Sequence, residues 1–216
     1  MQVMQALSQD AASLACVLLF SREFGLPADS KYNLVEKGVF RMENTNAQYW
    51  VSKLGLLPHP EGGYYKRTFE SEERTSDQEL TVDFEGERKL YTSIYFLLTS
   101  NDVSHFHRLK SDELWYYHAG SSLTIHIITE NGDYEEIKLG LNLDNGEVLQ
   151  ALVPKNSIFG SSVMEEDTYS LVGCMVSPGF EFRDFELFTQ ADLLAKYPEH
   201  KEIILKLAYE EIPEHL

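Results

Sequence analysis

The chain has 216 residues, enough for one domain of ordinary to large size, and its 43% hydrophobic and 12% aromatic content excludes a wholly disordered protein. Lys and Arg number 18 against 35 Asp and Glu, which gives a formal net charge of -17. A surface of that sign repels phosphate backbones and anionic headgroups, so neither nucleic acid nor membrane is an expected partner.

The first segment, residues 1–45, is predicted to be a helical extension. Its apolar residues recur at helical spacing: Met4, Leu7, Ala11, Leu14 and Leu18. The apolar run in this segment is too short to cross a bilayer, and no Lys or Arg precedes it as a signal peptide would require. The two cysteines form no CxxC pair, so we expect a cytoplasmic protein.

A single domain is predicted over residues 46–216, starting with a short helix. Thr45 and Gln48 have the spacing of a capping box, and Gly55 is a helix stop signal. The segment LLPHPEGGYY then breaks the helix with two prolines and two glycines. Glu61, which lies in this segment, is expected to border the mouth of a pocket.

From Tyr64 to Phe188 the sequence consists of about nine short runs rich in β-branched and aromatic residues, separated by turn signals. Because no helical stretch lies between them, an antiparallel sandwich or small barrel is predicted. The charged stretch at 71–89 is interpreted as an exposed hairpin or loop. After Phe188 two short helices are predicted, with Pro198 between them.

The stretch SHFHRLKSDELWYYHAG, residues 104–120, carries the strongest chemical signal. His105 and His107 are two residues apart on a predicted strand, so both side chains are expected on one face. A hairpin would bring Glu113 to them inside the barrel. Two imidazoles and a carboxylate suit a divalent metal with open coordination positions. Three polar groups that merely hydrogen-bond to one another are the plainer alternative.

The spacing His105-x-His107, Glu113, Gly120 resembles the first signature of the cupin superfamily. The resemblance implies a mainly β fold, a jelly-roll barrel, and a second signature that ends in a metal-binding His. In the matching stretch, GEVLQALVPKNSIFGSS, Phe159 stands at that position. Phenylalanine cannot bind a metal, so we expect no cofactor. A divalent metal held by His105, His107 and Glu113 stays as the alternative.

A closer resemblance covers about residues 46–209. This part of the chain is similar to a group of single-domain cupins of unknown function, often placed near the metal-independent sugar-nucleotide 3,5-epimerases. The group has no settled activity. The resemblance therefore implies a cupin jelly roll with N- and C-terminal helices, and leaves the reaction open.

Metal-free chemistry is predicted from the side chains themselves. An imidazole beside a carboxylate keeps a pKa suited to proton abstraction, so His107 with Glu113, or with Asp112, is the predicted general base. A tyrosine on an inward strand face, Tyr117 or Tyr95, would return the proton from the opposite side of the substrate.

The predicted ligand-binding residues surround this pair. Arg67 or Arg108 would hold a phosphate or carboxylate, because a guanidinium binds such groups through two hydrogen bonds. Trp115 and Phe159 would stack on a sugar or a nucleobase, although aromatic side chains in such strands more often fill the core. His105 is included as a further ligand-binding candidate.

Three functions remain open at this point. The first is a metal-independent epimerase or isomerase of a small polar metabolite, such as a sugar or nucleotide sugar. The second is a small-molecule binding protein without catalysis, and the third is a metal-dependent cupin enzyme with a reduced ligand set. A homodimer is expected in each case, because a lone barrel leaves edge strands exposed.

Overall fold

The computed structural model describes residues 46–76 and 84–214. The extension predicted at 1–45 lies outside the described residues. The described elements are α1 (Ala47–Leu54), β1 (Leu57–Pro58), β2 (Tyr64–Glu70), β3 (Arg74–Thr75), β4 (Arg88–Lys89), β5 (Thr92–Thr99), β6 (Val103–Leu109), β7 (Asp112–Gly120), β8 (Leu123–Ile128), β9 (Tyr134–Leu139), β10 (Gln150–Val153), β11 (Ile158–Val163), β12 (Tyr169–Ser177), β13 (Phe185–Leu187), α2 (Gln190–Lys196) and α3 (Lys201–Leu207).

Two antiparallel sheets form the barrel, and this confirms the predicted jelly roll. One sheet has the strand order β1-β2-β5-β12-β7-β10, and the other has the order β13-β6-β11-β8-β9. Alternate residues of the strands point inward and form the main core, which includes Phe96, Trp115, Ile125, Phe159 and Val172. Strands β3 and β4 form a separate small pair.

Helix α1 begins one residue later than the sequence predicted. Asn46, not Thr45, is the N-cap, and its side chain accepts a hydrogen bond from the Tyr49 amide at 2.9 Å. The helix ends at Gly55 as predicted, with the glycine in the left-handed conformation. Trp50 Nε1 donates to the Tyr169 hydroxyl at 2.8 Å, which attaches the helix to the six-stranded sheet.

Helices α2 and α3 cover the outer face of the five-stranded sheet. Phe106 and Ile158 on that face pack with Leu193, Ile204 and Leu207. A 3-10 turn that starts at Pro198 separates the two helices, as predicted. No helix in the described ranges is long and apolar enough to span a membrane.

The charged stretch at 71–89 includes the antiparallel strands β3 and β4, in agreement with the predicted hairpin, but it is not exposed throughout. Phe84 and Arg88 are buried, and Arg88 is 0% exposed. Its Nε and Nη2 donate to the two carboxylate oxygens of Asp184 at 2.6 and 2.8 Å. The abundance of charge in this stretch hid one arginine whose partner lies 96 residues away.

Candidate functional site

A cavity of about 490 Å³ opens into the interior of the barrel. Buried side chains form its floor, among them Glu61, His107, Glu113 and Trp115. More exposed residues form its rim: Leu57, Lys66, Arg67, Glu181 and Phe182. The cavity is concave, mostly apolar and has a few converging polar groups, which is typical of a small-molecule site.

The loop before β2 brings Glu61 to the cavity floor. Gly62 has φ of 105°, and a Cβ there would lie 2.1 Å from the Val103 carbonyl oxygen. Only glycine therefore lets this loop approach β6 so closely. The Glu61 carbonyl accepts the His105 amide at 2.7 Å, which fixes the loop to the strand.

A β-bulge in β6 decides which of its side chains reach the cavity. Phe159 of β11 pairs with His107, and Ser161 pairs with Ser104, so His105 and Phe106 together lie opposite one residue of β11. The extra residue breaks the alternation of side chains along β6. Ser104 Oγ therefore donates to Glu61 Oε1 at 2.9 Å, while His107 lines the cavity.

Glu61 lies between two histidines. Its Oε2 is 3.3 Å from His107 Nε2 and 3.4 Å from His59 Nδ1. Burial raises the pKa of Glu61, although the neighbouring His59 and the Ser104 hydroxyl partly oppose that rise. Burial also lowers the pKa of His59, and it lowers the pKa of His107 to about 4. All three groups are therefore held towards their neutral forms.

The hydrogen bonds determine which ring nitrogens carry protons. His107 Nδ1 is 2.7 Å from the His105 carbonyl oxygen, which can only accept, so Nδ1 is the protonated nitrogen and Nε2 has a free lone pair. The Glu61 amide donates to His59 Nδ1 at 3.3 Å, so that nitrogen is also an acceptor. Glu61 Oε2 thus faces two lone pairs, and a proton on the carboxyl group satisfies one of them.

Glu113 is the second carboxyl group of the cavity. Burial raises its pKa to about 8, and the nearby Glu61 adds to the rise. Its Oε2 accepts a hydrogen bond from Trp115 Nε1 at 3.0 Å, so the orientation of the side chain is fixed. At neutral pH Glu113 is protonated and is able to donate to a ligand. Cys174 lies nearby, and burial raises the pKa of its thiol well above the usual value.

The structure brings five of the predicted site residues into the cavity: Glu61, Arg67, His107, Glu113 and Trp115. Arg67 lies at the rim, where Nη2 donates to the Phe180 carbonyl at 3.3 Å. Glu61 is more central than expected, because it lies on the floor and not at the mouth.

Four predicted residues are not among those that line the cavity: His105, Arg108, Tyr117 and Phe159. The His105 ring stacks on Tyr209 at 3.6 Å between centroids, and Arg108 pairs with Glu186. Tyr117 donates to the Gly120 carbonyl at 2.6 Å, too far along β7 to return a proton in the cavity.

Phe159 packs against His107 and does not line the cavity. Its ring centroid is 4.1 Å from that of His107 and 6.4 Å from that of Trp115. The side chain at the position of the family's last metal ligand therefore supports the imidazole from one side. This explains why a large apolar residue is accommodated there.

The residues do not fit the metal site that the cupin resemblance implies. His105 is turned to Tyr209 and does not join His107 and Glu113. Over residues 46–76 and 84–214, no three His, Cys, Asp or Glu side chains are grouped so that they could hold a metal ion. The chemistry is therefore derived from the organic side chains alone.

His59 is a residue of the site that the sequence did not predict. Its ring packs against Tyr65 at 4.5 Å and Phe185 at 5.9 Å between centroids, and it lines the cavity. The signal was its position two residues before Glu61, in the loop that the glycines hold against β6. Without the contact between loop and strand, the two residues looked like part of an ordinary turn.

Comparison with known sequences supports the predicted membership of the cupin superfamily. The profile of the Cupin superfamily (DUF985) matches residues 48–188. The uncharacterized protein YML079W of Saccharomyces cerevisiae is 27% identical over 160 residues, which are 69% of this chain and 79% of the yeast protein.

Two solved structures are similar over most of the chain. A hypothetical protein from Leishmania major has 43% identity and a TM-score of 0.71, with 76% of this chain and 99% of that chain covered. Protein SO0799 from Shewanella oneidensis has 49% identity and a TM-score of 0.69, with 78% and 100% covered. The profile match extends over more than half of the sequence and confirms the expected resemblance, so the chain belongs to the cupin superfamily, in the DUF985 group.

Proposed function

We propose that this protein is a metal-independent enzyme that moves a proton at a carbon next to a carbonyl group, as epimerases and isomerases of small metabolites do. One observation carries the proposal: the unprotonated Nε2 of His107 lies 3.3 Å from the Glu61 carboxyl group on the buried floor of the cavity. A neutral imidazole with a free lone pair can act as a general base, and the pKa of about 4 makes His107 a weaker base than the sequence predicted.

The two carboxyl groups have different tasks in this proposal. The His107 Nε2 lone pair accepts the proton from the substrate carbon when the Glu61 proton is turned to His59 Nδ1. The electron pair of the broken C–H bond moves towards the carbonyl oxygen. Protonated Glu113 donates to that oxygen and stabilises the enolate character that develops there. No metal is required for this charge stabilisation.

The test follows solvent exchange, because it needs no knowledge of the product. Carbonyl metabolites, including 2-oxo acids, keto sugars and nucleotide sugars, are incubated with the protein in D2O, with and without a chelator. We expect at least one of them to gain deuterium at a carbon next to its carbonyl, and we expect the chelator to have no effect. Mass spectrometry measures the exchange rate.

His107→Asn is the diagnostic variant, because the asparagine amide still has a donor for the His105 carbonyl while Nε2 is lost. It should lower the exchange rate by roughly 10²–10⁴-fold. His126→Asn is the matched control. His126 is also buried with a pKa lowered to about 4, but it bonds Tyr134 and Ser162 away from the cavity. A metabolite that binds the native protein yet never exchanges would instead make it a binding protein.

We also propose that the protein acts as a homodimer. Strand β10 lies at the end of the strand order of the six-stranded sheet, as far as the described residues extend. Leu149 and Leu152 on this edge are 52% and 48% exposed. An apolar edge strand is a surface that a second copy would cover.

A further inference from the structure

The walls of the cavity are aromatic to an extent that restricts its ligand. Six rings line it around the acid–base residues: Tyr65, Phe96, Trp115, Phe180, Phe182 and Phe185. Phe182 is 52% exposed at the rim, where an apolar ligand would cover it. The cavity therefore offers a ligand mainly apolar contacts.

The polar groups that remain are too few for a sugar. Apart from charged and titratable side chains, the wall contains the hydroxyls of Tyr65 and Thr92. Thr92 Oγ1 already accepts a hydrogen bond from the Phe180 amide at 2.9 Å. A hexose would have to place its hydroxyls against the acid–base residues or against the six rings, and each hydroxyl left unpaired weakens binding.

The rim provides one cation for an anionic ligand. Lys66 Nζ donates to the Leu54 carbonyl at 2.7 Å and so points to the end of α1. Arg67 donates from Nη2 to the Phe180 carbonyl and from Nη1 to the exposed Glu70 carboxylate at 3.4 Å, and its remaining N–H groups are left for a ligand. Glu181 also lies at the rim and repels anions. This balance suits one carboxylate and opposes the diphosphate of a nucleotide sugar.

Arg67 and Glu113 are placed to hold the two ends of a short oxygenated group. Both line the cavity from one sheet, on β2 and β7, with β5 and β12 between them. Arg67 is in register with Trp115 through Ile94 and Cys174, so Glu113 lies three strand spacings and two residues away. The backbones are therefore roughly 16 Å apart, and the two side chains shorten that gap. A carboxylate joined to a ketone would bind Arg67 at one end and Glu113 at the other.

We infer that the cavity takes a monoanionic 2-oxo acid with a bulky apolar side chain, aromatic or branched, and interconverts its keto and enol forms. This inference rests on the proposed function and specifies its substrate class. The C3–H bond breaks and its proton goes to His107 Nε2. The electron pair forms the C2=C3 bond, and the ketone oxygen takes the proton of Glu113. A proton then passes from His107 to Glu113 and restores the enzyme.

The first experiment compares phenylpyruvate, pyruvate and UDP-glucose by calorimetry and by deuterium exchange at carbon in D2O. We expect phenylpyruvate to bind and to exchange at C3 at least about tenfold faster than in buffer alone. Pyruvate, which has no ring, should bind roughly 10–200-fold more weakly. UDP-glucose should not bind at millimolar concentration.

Arg67→Met separates carboxylate recognition from general stability. It should weaken phenylpyruvate binding about tenfold or more, because a charge-assisted pair is lost. Arg108→Met is the matched control, because Arg108 pairs with Glu186 and does not line the cavity, and it should leave binding unchanged.

The outcomes distinguish the two proposals. Exchange of a nucleotide sugar without phenylpyruvate binding would overturn the substrate class and leave the proton-transfer function intact. Tight phenylpyruvate binding with no exchange above buffer would sustain the ligand class and overturn the catalytic function. Equal effects of Arg67→Met and Arg108→Met would refute the assigned carboxylate contact.

Discussion

At the scale of single residues, burial of titratable groups governs the properties of this cavity. Glu61, His107 and Glu113 are each less than 10% exposed, with values of 6%, 2% and 6%. Burial disfavours the charged form of each group, so acids are retained as acids and the imidazole as a base. At neutral pH the cavity thus contains both a protonated carboxyl group, which donates a hydrogen bond, and a neutral imidazole, which accepts a proton. In water the carboxyl group would be ionised and the imidazole partly charged.

The raised pKa of Glu113 predicts a dependence of stability on pH. The pKa rises from 4.5 to about 8 on folding, so between those values the folded protein retains a proton that the unfolded chain has released. Stability therefore falls as the pH rises, by up to ~1.4 kcal/mol per unit. The Glu113→Gln variant has no carboxyl group to ionise, so this loss of stability with rising pH is absent. Relative to the native protein, the variant should gain about 2 kcal/mol between about pH 5.5 and about pH 7.5 in urea unfolding.

His107→Asn should show the opposite trend and serves as the control for that measurement. The pKa of His107 falls from 6.5 to about 4 on folding, so the native protein loses stability as the pH falls through this range. The asparagine variant does not, and its relative stability should increase towards acid pH. A Glu113→Gln difference that stays constant across the range would mean that the carboxyl group is not held neutral.

Gly62 provides a second prediction at this scale. Gly62→Ala places a Cβ 2.1 Å from the Val103 carbonyl oxygen, so the loop with His59 and Glu61 must move away from β6. Gly146→Ala is the matched control, because Gly146 also has positive φ but a Cβ there meets nothing within 4 Å. We expect the first variant to lose about 2 kcal/mol more than the second in thermal or urea unfolding. Equal losses would show that the close approach is unimportant.

Particular residues show what the sequence was able to predict about the site. Alternation along a strand correctly predicted that His107, Glu113 and Trp115 face inward, because local periodicity carries that information. It misplaced His105, because the bulge in β6 depends on the pairing of that strand with β11, where His105 and Phe106 together lie opposite Gly160. The central role of Glu61 and the presence of His59 depend on contact between a loop and a distant strand, which no local pattern encodes.

At the scale of elements, a buried ion pair holds the aromatic rim in place. Arg88, at the start of β4, bonds Asp184 in the 3-10 turn that precedes β13. Phe182 and Phe185 flank Asp184 and line the cavity, so the pair links the small β3–β4 sheet to the wall of the site. The sequence predicted the turns and strands here, but it did not indicate which of many charged residues would be buried.

The ion pair predicts a large effect from removing one partner. Asp184→Ala leaves the Arg88 guanidinium buried without its carboxylate, and should cost about 3–5 kcal/mol of unfolding free energy. Glu181→Ala is the control, because the Glu181–Arg183 pair nearby is exposed and should contribute less than about 1 kcal/mol. The double variant Arg88→Met, Asp184→Leu should recover most of the loss. If Asp184→Ala behaves like Glu181→Ala, the pair does not stabilise the rim.

At the scale of the whole molecule, the jelly roll follows from sequence pattern more completely than any other feature. Short runs of β-branched and aromatic residues between turn signals leave few topologies other than an antiparallel barrel. The two sheets then enclose one cavity whose position follows from the fold, while its chemistry follows from the few polar residues that replace core positions. The fold is therefore predictable from the pattern of the whole sequence, whereas the chemistry of the site depends on a few individual residues.

The exposed edge of the six-stranded sheet carries the last prediction. Leu149 and Leu152 at β10 lie close in sequence to Leu141 and Leu143, which are 67% and 62% exposed. We expect light scattering at micromolar concentration to give the mass of a dimer. Leu149→Glu with Leu152→Glu should give a monomer, because buried carboxylates would add to the repulsion between chains of net charge -17. Phe69→Glu, at a 68% exposed position on β2, should remain dimeric. Dissociation by Phe69→Glu instead would place the interface at the other side of the sheet, and a monomeric native protein would mean that one barrel suffices for function.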